Sequence, residues 1–406
     1  MRLILSFAAL LLSISFLQLS SGAIGPLDAL SGLQTGFTRV QIGLLGSAHF
    51  VGFFIGCWWA PRLIGSVGHS KTFAVFASMG IIGALAHPLW IDAYFWLGLR
   101  VLSGMCIAGA YTVIEAWFSA KLTNEIRGRV MSAYRVVDIG ASSLAQMMIG
   151  FLAPASYVSY NIIAIIGCLC LWPLMLSKSQ EPPVPTAPRL HPIRTALTSP
   201  LGVAGVITAG ITASSFRMVG PIYATDVGLS PAEVGSFLAI ILIGGALAQF
   251  PAGYLADKYD RRHVLIGISL ASIVVCTAIA LFGGQGRTQI FALAFAFGFT
   301  TYPVFSISAA HANDFATPAE RVELNASLMF FYAIGAVLSP LIASALIQRY
   351  GPSAMFSFIS VAHVGLVIFG VTRMRARSSR KKRTAYRYMP RTSFTIGKLI
   401  KRKNLD

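Results

Sequence analysis

Charged side chains are scarce in this chain: 11% of 406 residues, with only 14 acids. A soluble fold of this length covers its surface with roughly a quarter charged residues, so water cannot be its only solvent. Cysteine is sparse as well. Cys57, Cys106, Cys168, Cys170 and Cys276 all lie inside apolar runs, and an odd count without metal-ligand spacing gives neither a disulfide framework nor a zinc site. They read as small packing residues. The chain lacks G-x-x-x-x-G-K-[ST], which argues against ATP-driven work. It has no His/Asp/Glu cluster at metal spacing and no Ser or Cys with a visible base partner, so neither a cofactor nor an enzyme activity is indicated.

What the chain has instead is apolar length. Hydrophobic residues make up 55% of it, and mean hydropathy is +0.71. Apolar runs fall at 3–29, 40–61, 71–90, 93–119, 130–153 and 157–177, then at 200–224, 232–256, 263–283, 288–311, 324–347 and 353–373. A bilayer core takes about 20 apolar residues per helix, and lipid offers the backbone no partner. Each run therefore predicts a membrane-spanning helix. Arg2, the first run and Ser21-Gly22-Ala23 imitate a cleavable signal. Its loss would leave an odd number of spans, so it is read as an uncleaved first helix.

Basic residues fall on one side of this topology. Twenty-six Lys/Arg lie in the segments on the N-terminal side and three, Arg39, Arg287 and Arg349, in the opposite loops. That asymmetry predicts cytoplasmic N- and C-termini. Thirteen of the 32 basic residues but one acid lie in Arg373–Asp406, so the rest of the chain carries +6 of the net +18. A juxtamembrane tail of this kind suits anionic lipid and not nucleic acid. The expected organisation is a six-helix bundle (1–177), a polar, proline-rich cytoplasmic linker (178–199), a second six-helix bundle (200–373) and a basic tail (374–406).

The two halves repeat a motif. Gly56-CWWA-Pro61-Arg62-LIGSV-Gly68-His69-Ser70-Lys71 follows span two, and Gly253-YLA-Asp257-Lys258-Tyr259-Asp260-Arg261-Arg262 follows span eight. The second stretch, G-x-x-x-D-K-x-x-R-R, resembles motif A of the major facilitator superfamily. The first copy departs from it, with Ala60 at the carboxylate position. Together with Glu115-Ala116-Trp117 and His311-Ala312-Asn313-Asp314, it is similar to the YcaD-like branch of that superfamily. Arg100-VLS-Gly104-xxxx-Gly109 in span four resembles motif B, whose arginine is often linked to proton coupling. Span five (Ala141-SSLAQMMI-Gly150) lacks the Gly-Pro pattern of motif C, which lowers a multidrug antiporter reading. The resemblance implies an all-α fold of twelve helices in two pseudo-symmetric bundles, and a secondary transporter of small solutes in the cytoplasmic (inner) membrane of a bacterium. The motif glycines Gly56 and Gly253 and the charged residues Arg62, Asp257, Lys258, Arg261 and Arg262 are then gating residues. Glu115 reads as a gate partner of Arg127 or Arg129.

Ionisable groups at membrane depth are functional candidates by default. Arg100 lies about 10 Å and His49 about 13 Å below the end remote from the linker, Arg217 about 25 Å into span seven, and Asp138 about 12 Å from the linker end. Arg100 and Arg217, one from each half, suit an organic anion through charge-assisted hydrogen bonds. The competing arrangement pairs each with Asp138, Asp28 or Asp226. Asp138 suits a proton carrier, or a local pair with Arg135 three residues earlier. His49 suits a proton site or an interhelical contact. Two further functions stay open: a receptor or scaffold that kept the fold without flux, and a drug or metabolite efflux pump.

Overall fold

The computed structural model describes residues 2–121, 124–177, 191–284, 286–317 and 320–376; within these, the side chains of 2–6, 119–121, 124–129, 131–132, 322 and 376 also lie outside the description. The basic tail beyond 376 falls outside it too. The described residues are helical almost throughout. In chain order the helices are α1 (Arg2–Gln34), α2 (Arg39–Val67), α3 (His69–Ala86), α4 (Ala93–Lys121), α5 (Asn124–Met148), α6 (Tyr157–Leu169), α7 (Leu171–Met175), α8 (Pro192–Thr198), α9 (Pro200–Asp226), α10 (Pro231–Lys258), α11 (Arg261–Phe282), α12 (Arg287–Thr301), α13 (Pro303–Asn313), α14 (Arg321–Tyr350) and α15 (Ala354–Ala376).

Eleven of the resulting spans are long and apolar enough to cross a membrane, with α6–α7 and α12–α13 each making one. The break between α12 and α13 follows from Pro303, which has no N–H to continue the ladder. The remaining long helix, α5, carries Arg135, Asp138, Ser142 and Gln146 and is too polar to count by composition. It packs against α1 and α10 inside the bundle, an arrangement consistent with twelve spans.

The halves are built alike. α2 packs on α4 and α10 on α12, while α1 packs on α5 and α9 on α14. In the α2–α4 contact a Cβ on Gly104 would collide with the His49 carbonyl, and one on Gly52 with that of Val101. The α10–α12 contact repeats this, Gly298 against Ile241 and Gly244 against Phe295. Small residues let helix backbones meet where lipid supplies no hydrophobic drive. Capping boxes also recur, Thr38 with Gln41 opening α2 and Ser230 with Glu233 opening α10.

One part of the expected linker is ordered. Residues 178–190 lie outside the description, but α8 forms after His191 and docks on α14 with Thr195 buried. His191 N–H donates to Ser327 Oγ and Arg194 to Glu320.

Candidate transport site between the two halves

A cavity of about 200 Å³ lies where α1, α2, α4 and α5 face α9, α10, Tyr302 and α14. Arg135, Asp138, Ile139, Ser142 and Gln146 of α5 all line it. Their spacing of three, four and seven residues is one face of a helix, which explains why the least apolar helix is kept inside. Gln146 also ties α5 to α1 by donating to the Gly22 carbonyl at 3.0 Å.

Three of the four sequence-derived ligand candidates, Asp138, Arg217 and His49, line this cavity. Asp138 accepts a hydrogen bond from Tyr111 and lies 3.5 Å from Arg135. Arg135 also reaches Glu115, at 3.9 Å, so one guanidinium stands between two buried carboxylates. Glu115 thus meets Arg135. Arg127 and Arg129, the expected partners, lie on the α5 backbone with their side chains outside the described residues. His49 is buried and shares a hydrogen bond with Ser103 through Nδ1 at 3.1 Å.

Arg217 is exposed although Ser214, Ser215, Phe216, Met218 and Val219 around it are buried. Its side chain forms no hydrogen bond or ion pair among the described residues. Pro221 has no N–H for the Arg217 carbonyl one turn earlier, so the backbone beside this charge is also short of a helix bond. Asp226, one anticipated partner, is instead held by Arg39 at 2.8 and 3.1 Å.

Arg100 stands elsewhere. It is 3% exposed and 3.4 Å from the fully buried Asp28, which also accepts from Tyr160 at 3.0 Å and lies 3.3 Å from His87. It is not among the cavity-lining residues, so the sequence-based pairing of Arg100 with Arg217 around one ligand gives way to an ion pair inside the first bundle. The Arg100–Asp28 pair is one of the arrangements anticipated from sequence, whereas His87 and Tyr160, remote along the chain, were not among the candidates.

The gating candidates sit at the linker end. Arg261 is 1% exposed and donates to Asp314 at 2.7 Å, to Asp257 at 3.3 Å and to the Ala310 and Ala256 carbonyls. A buried arginine needs such partners, since an uncompensated charge there is strongly destabilising. Asp314 is the principal one, a residue the sequence singled out only within the His311-Ala312-Asn313-Asp314 resemblance. Asp260 instead caps α11, accepting from the Arg262 backbone N–H at 3.0 Å and from its guanidinium at 2.8 Å. Lys258 lies over the Tyr254 and Tyr259 rings. In the first half Arg62 stacks on Trp58 at 4.0 Å and donates to the Trp58 carbonyl, while Ala60 is fully buried with no carboxylate to offer. Gly56 and Gly253 are both buried, Gly56 against the Met105 backbone.

At the opposite end the halves close on each other. Arg39 of α2 bridges to Asp226 of α9, and Val40 N–H donates to Gln348 Oε1 of α14 at 3.3 Å. Just below, Gly43 lies against Pro340 and Ser344, so closely that a Cβ would overlap them. The cavity lies on the linker side of this seal.

Two repeated bundles of membrane-length helices around a central cavity lined by charged and aromatic side chains define an integral membrane transporter. The Major Facilitator Superfamily model matches residues 202–405, and the chain belongs to that superfamily. It is 28% identical over 340 residues, 81% of the chain, to an uncharacterized MFS-type transporter of Yersinia pestis (strain Pestoides F), of which 85% is covered. It is 27% identical over 369 residues to the MFS-type transporter YcaD of Salmonella newport (strain SL254), covering 88% of this chain and 94% of that one. Among solved structures the nucleoside transporter NupG gives a TM-score of 0.72 at 15% identity, over 91% of this chain and 99% of that one. The D-xylose-proton symporter gives 0.68 at 14%, over 91% and 97%.

Proposed function

We propose that this protein is a proton-coupled secondary transporter of a small anionic solute, exposing the central cavity alternately to each side of a bacterial inner membrane. The observation that carries the reading is Arg217, an exposed cation with no ion-pair partner among the described residues, inside a cavity between the two halves. An intramembrane charge left so is costly unless a ligand or cavity water meets it. The bundles 1–177 and 200–373 rock about this site, with both termini, the linker and the basic tail in the cytoplasm. The tail, outside the described residues, rests on anionic lipid.

Coupling runs through Asp138. Protonation removes one of the two carboxylates that share Arg135 and shifts that guanidinium toward Glu115, changing how α5 meets α4. Arg261, Asp257 and Asp314 hold the second half's linker end together while the halves move. Purified protein in vesicles tests this. Uptake driven by an imposed pH gradient is expected from the wild type, and Asp138→Asn is expected to uncouple flux from that gradient. Unaltered pH-driven uptake by Asp138→Asn removes the carrier role, and uptake unaffected by Arg217→Ala removes the anion site.

A further inference from the structure

We infer that the solute is a flat organic monoanion, its single negative group on Arg217 and its apolar body between aromatic rings of both halves. The inference rests on the proposed transport reading and narrows its substrate class. Charge sets the first limit. Of the two cavity arginines, Arg135 is already engaged by Asp138 and Glu115, which leaves Arg217 alone to neutralise a ligand. A second anionic group has to compete with Asp138 and Glu115 for Arg135, and drawing a cation away from a buried carboxylate is strongly destabilising. A cationic ligand meets Arg217 directly and is repelled.

The walls set the second limit. Phe50 and Phe53 approach from α2, Phe216 adjoins the arginine on α9, and Tyr332 faces them from α14. Faces and edges of this kind hold a ring by offset or edge contacts. They offer a sugar's hydroxyls few partners, and an unpaired buried hydroxyl is penalised. Polar groups that could orient a small substituent are Gln18, Ser142 and Gln146 on α1 and α5, His49 on α2, and the hydroxyls of Tyr302 and Tyr332.

Binding of four probes to the full-length protein in lipid nanodiscs tests the inference: benzoate, its neutral isostere benzamide, the dianion terephthalate, and xylose. Benzoate is expected to bind, with the other three at least about tenfold weaker. Arg217→Ala is expected to reduce benzoate to the level of benzamide, and Arg217→Lys to retain part of the affinity, which shows that the fold is kept. Tighter binding of terephthalate, benzamide or xylose, or no binding by any probe at millimolar concentration, overturns the inference. Counterflow of the bound probe in vesicles, with Arg217→Ala vesicles as the leak control, separates the two readings. A sugar or dianion that binds and crosses defeats the monoanion class and leaves transport standing. Benzoate that binds without crossing defeats transport and leaves the site standing.

Discussion

Arg217 carries a tension between stability and function. It stands about 25 Å along α9, and an arginine at membrane depth costs roughly 2.5–3.5 kcal/mol on insertion scales. Replacing it with methionine is therefore expected to raise thermal stability, by no more than about 3 kcal/mol, while abolishing ligand-induced stabilisation. A lower melting temperature in Arg217→Met contradicts this and makes the residue structural. Its position as an intramembrane charge was plain in the sequence, whereas its lack of a partner was not. Asp226 stood nine residues away as a ready counter-ion, and only folding assigns that carboxylate to Arg39. Asp138 shows the complementary case. Its i,i+3 pair with Arg135 was legible because helix geometry fixes it. Tyr111, 27 residues away, is brought to Asp138 only by the packing of α4 on α5.

Among the elements, α5 explains what apolar runs can and cannot reveal. Its apolar content located a span, and the Arg135–Asp138 spacing within it was legible; that Ser142 and Gln146 complete one polar face, and which neighbours cover it, was not written locally. The α2–α4 contact depends on missing side chains. Gly104→Leu places a side chain against the His49 carbonyl and is expected to destabilise by about 1–3 kcal/mol or more, as overpacking does. An unchanged melting temperature denies the close contact. The helix α8 was illegible because a proline-rich polar stretch gives no apolar period, and its order comes from docking on α14. There the Thr317 hydroxyl and backbone N–H that donate to Glu320, with Arg194 beside it, hold the Glu320 carboxyl below the usual carboxylate range. A depressed carboxylate stabilises fully above its unfolded value near 4.5 and loses that contribution as pH falls through the lower folded value. The clamp is thus expected to be constant at neutral pH. Glu320→Gln at pH 7 is expected to speed hydrogen exchange across 192–198; unchanged exchange removes Glu320 from the clamp.

At the scale of the whole molecule the membrane-spanning helices and their repeat in two halves were legible, because bilayer thickness constrains the length of each apolar run directly. The direction in which the bundle is sealed was not, since Arg39, Asp226, Gly43 and Pro340 come from distant parts of the chain. Breaking that seal is expected to shift the population toward opening at the Arg39 end. In Asp226→Asn, a cysteine introduced at Ser142 is expected to react faster with a membrane-impermeant thiol reagent applied from that side. Equal reactivity in both backgrounds shows that the Arg39–Asp226 bridge does not hold the closed end.

Flux through the reconstituted wild-type protein under an imposed pH gradient is the most direct test of the central claim, followed with a solute first found by ligand-induced stabilisation. The account predicts gradient-driven accumulation that Arg217→Ala abolishes and that Asp138→Asn renders indifferent to the gradient. A ligand that binds the wild type and crosses at no gradient contradicts it, and makes the protein a receptor built on a transporter fold.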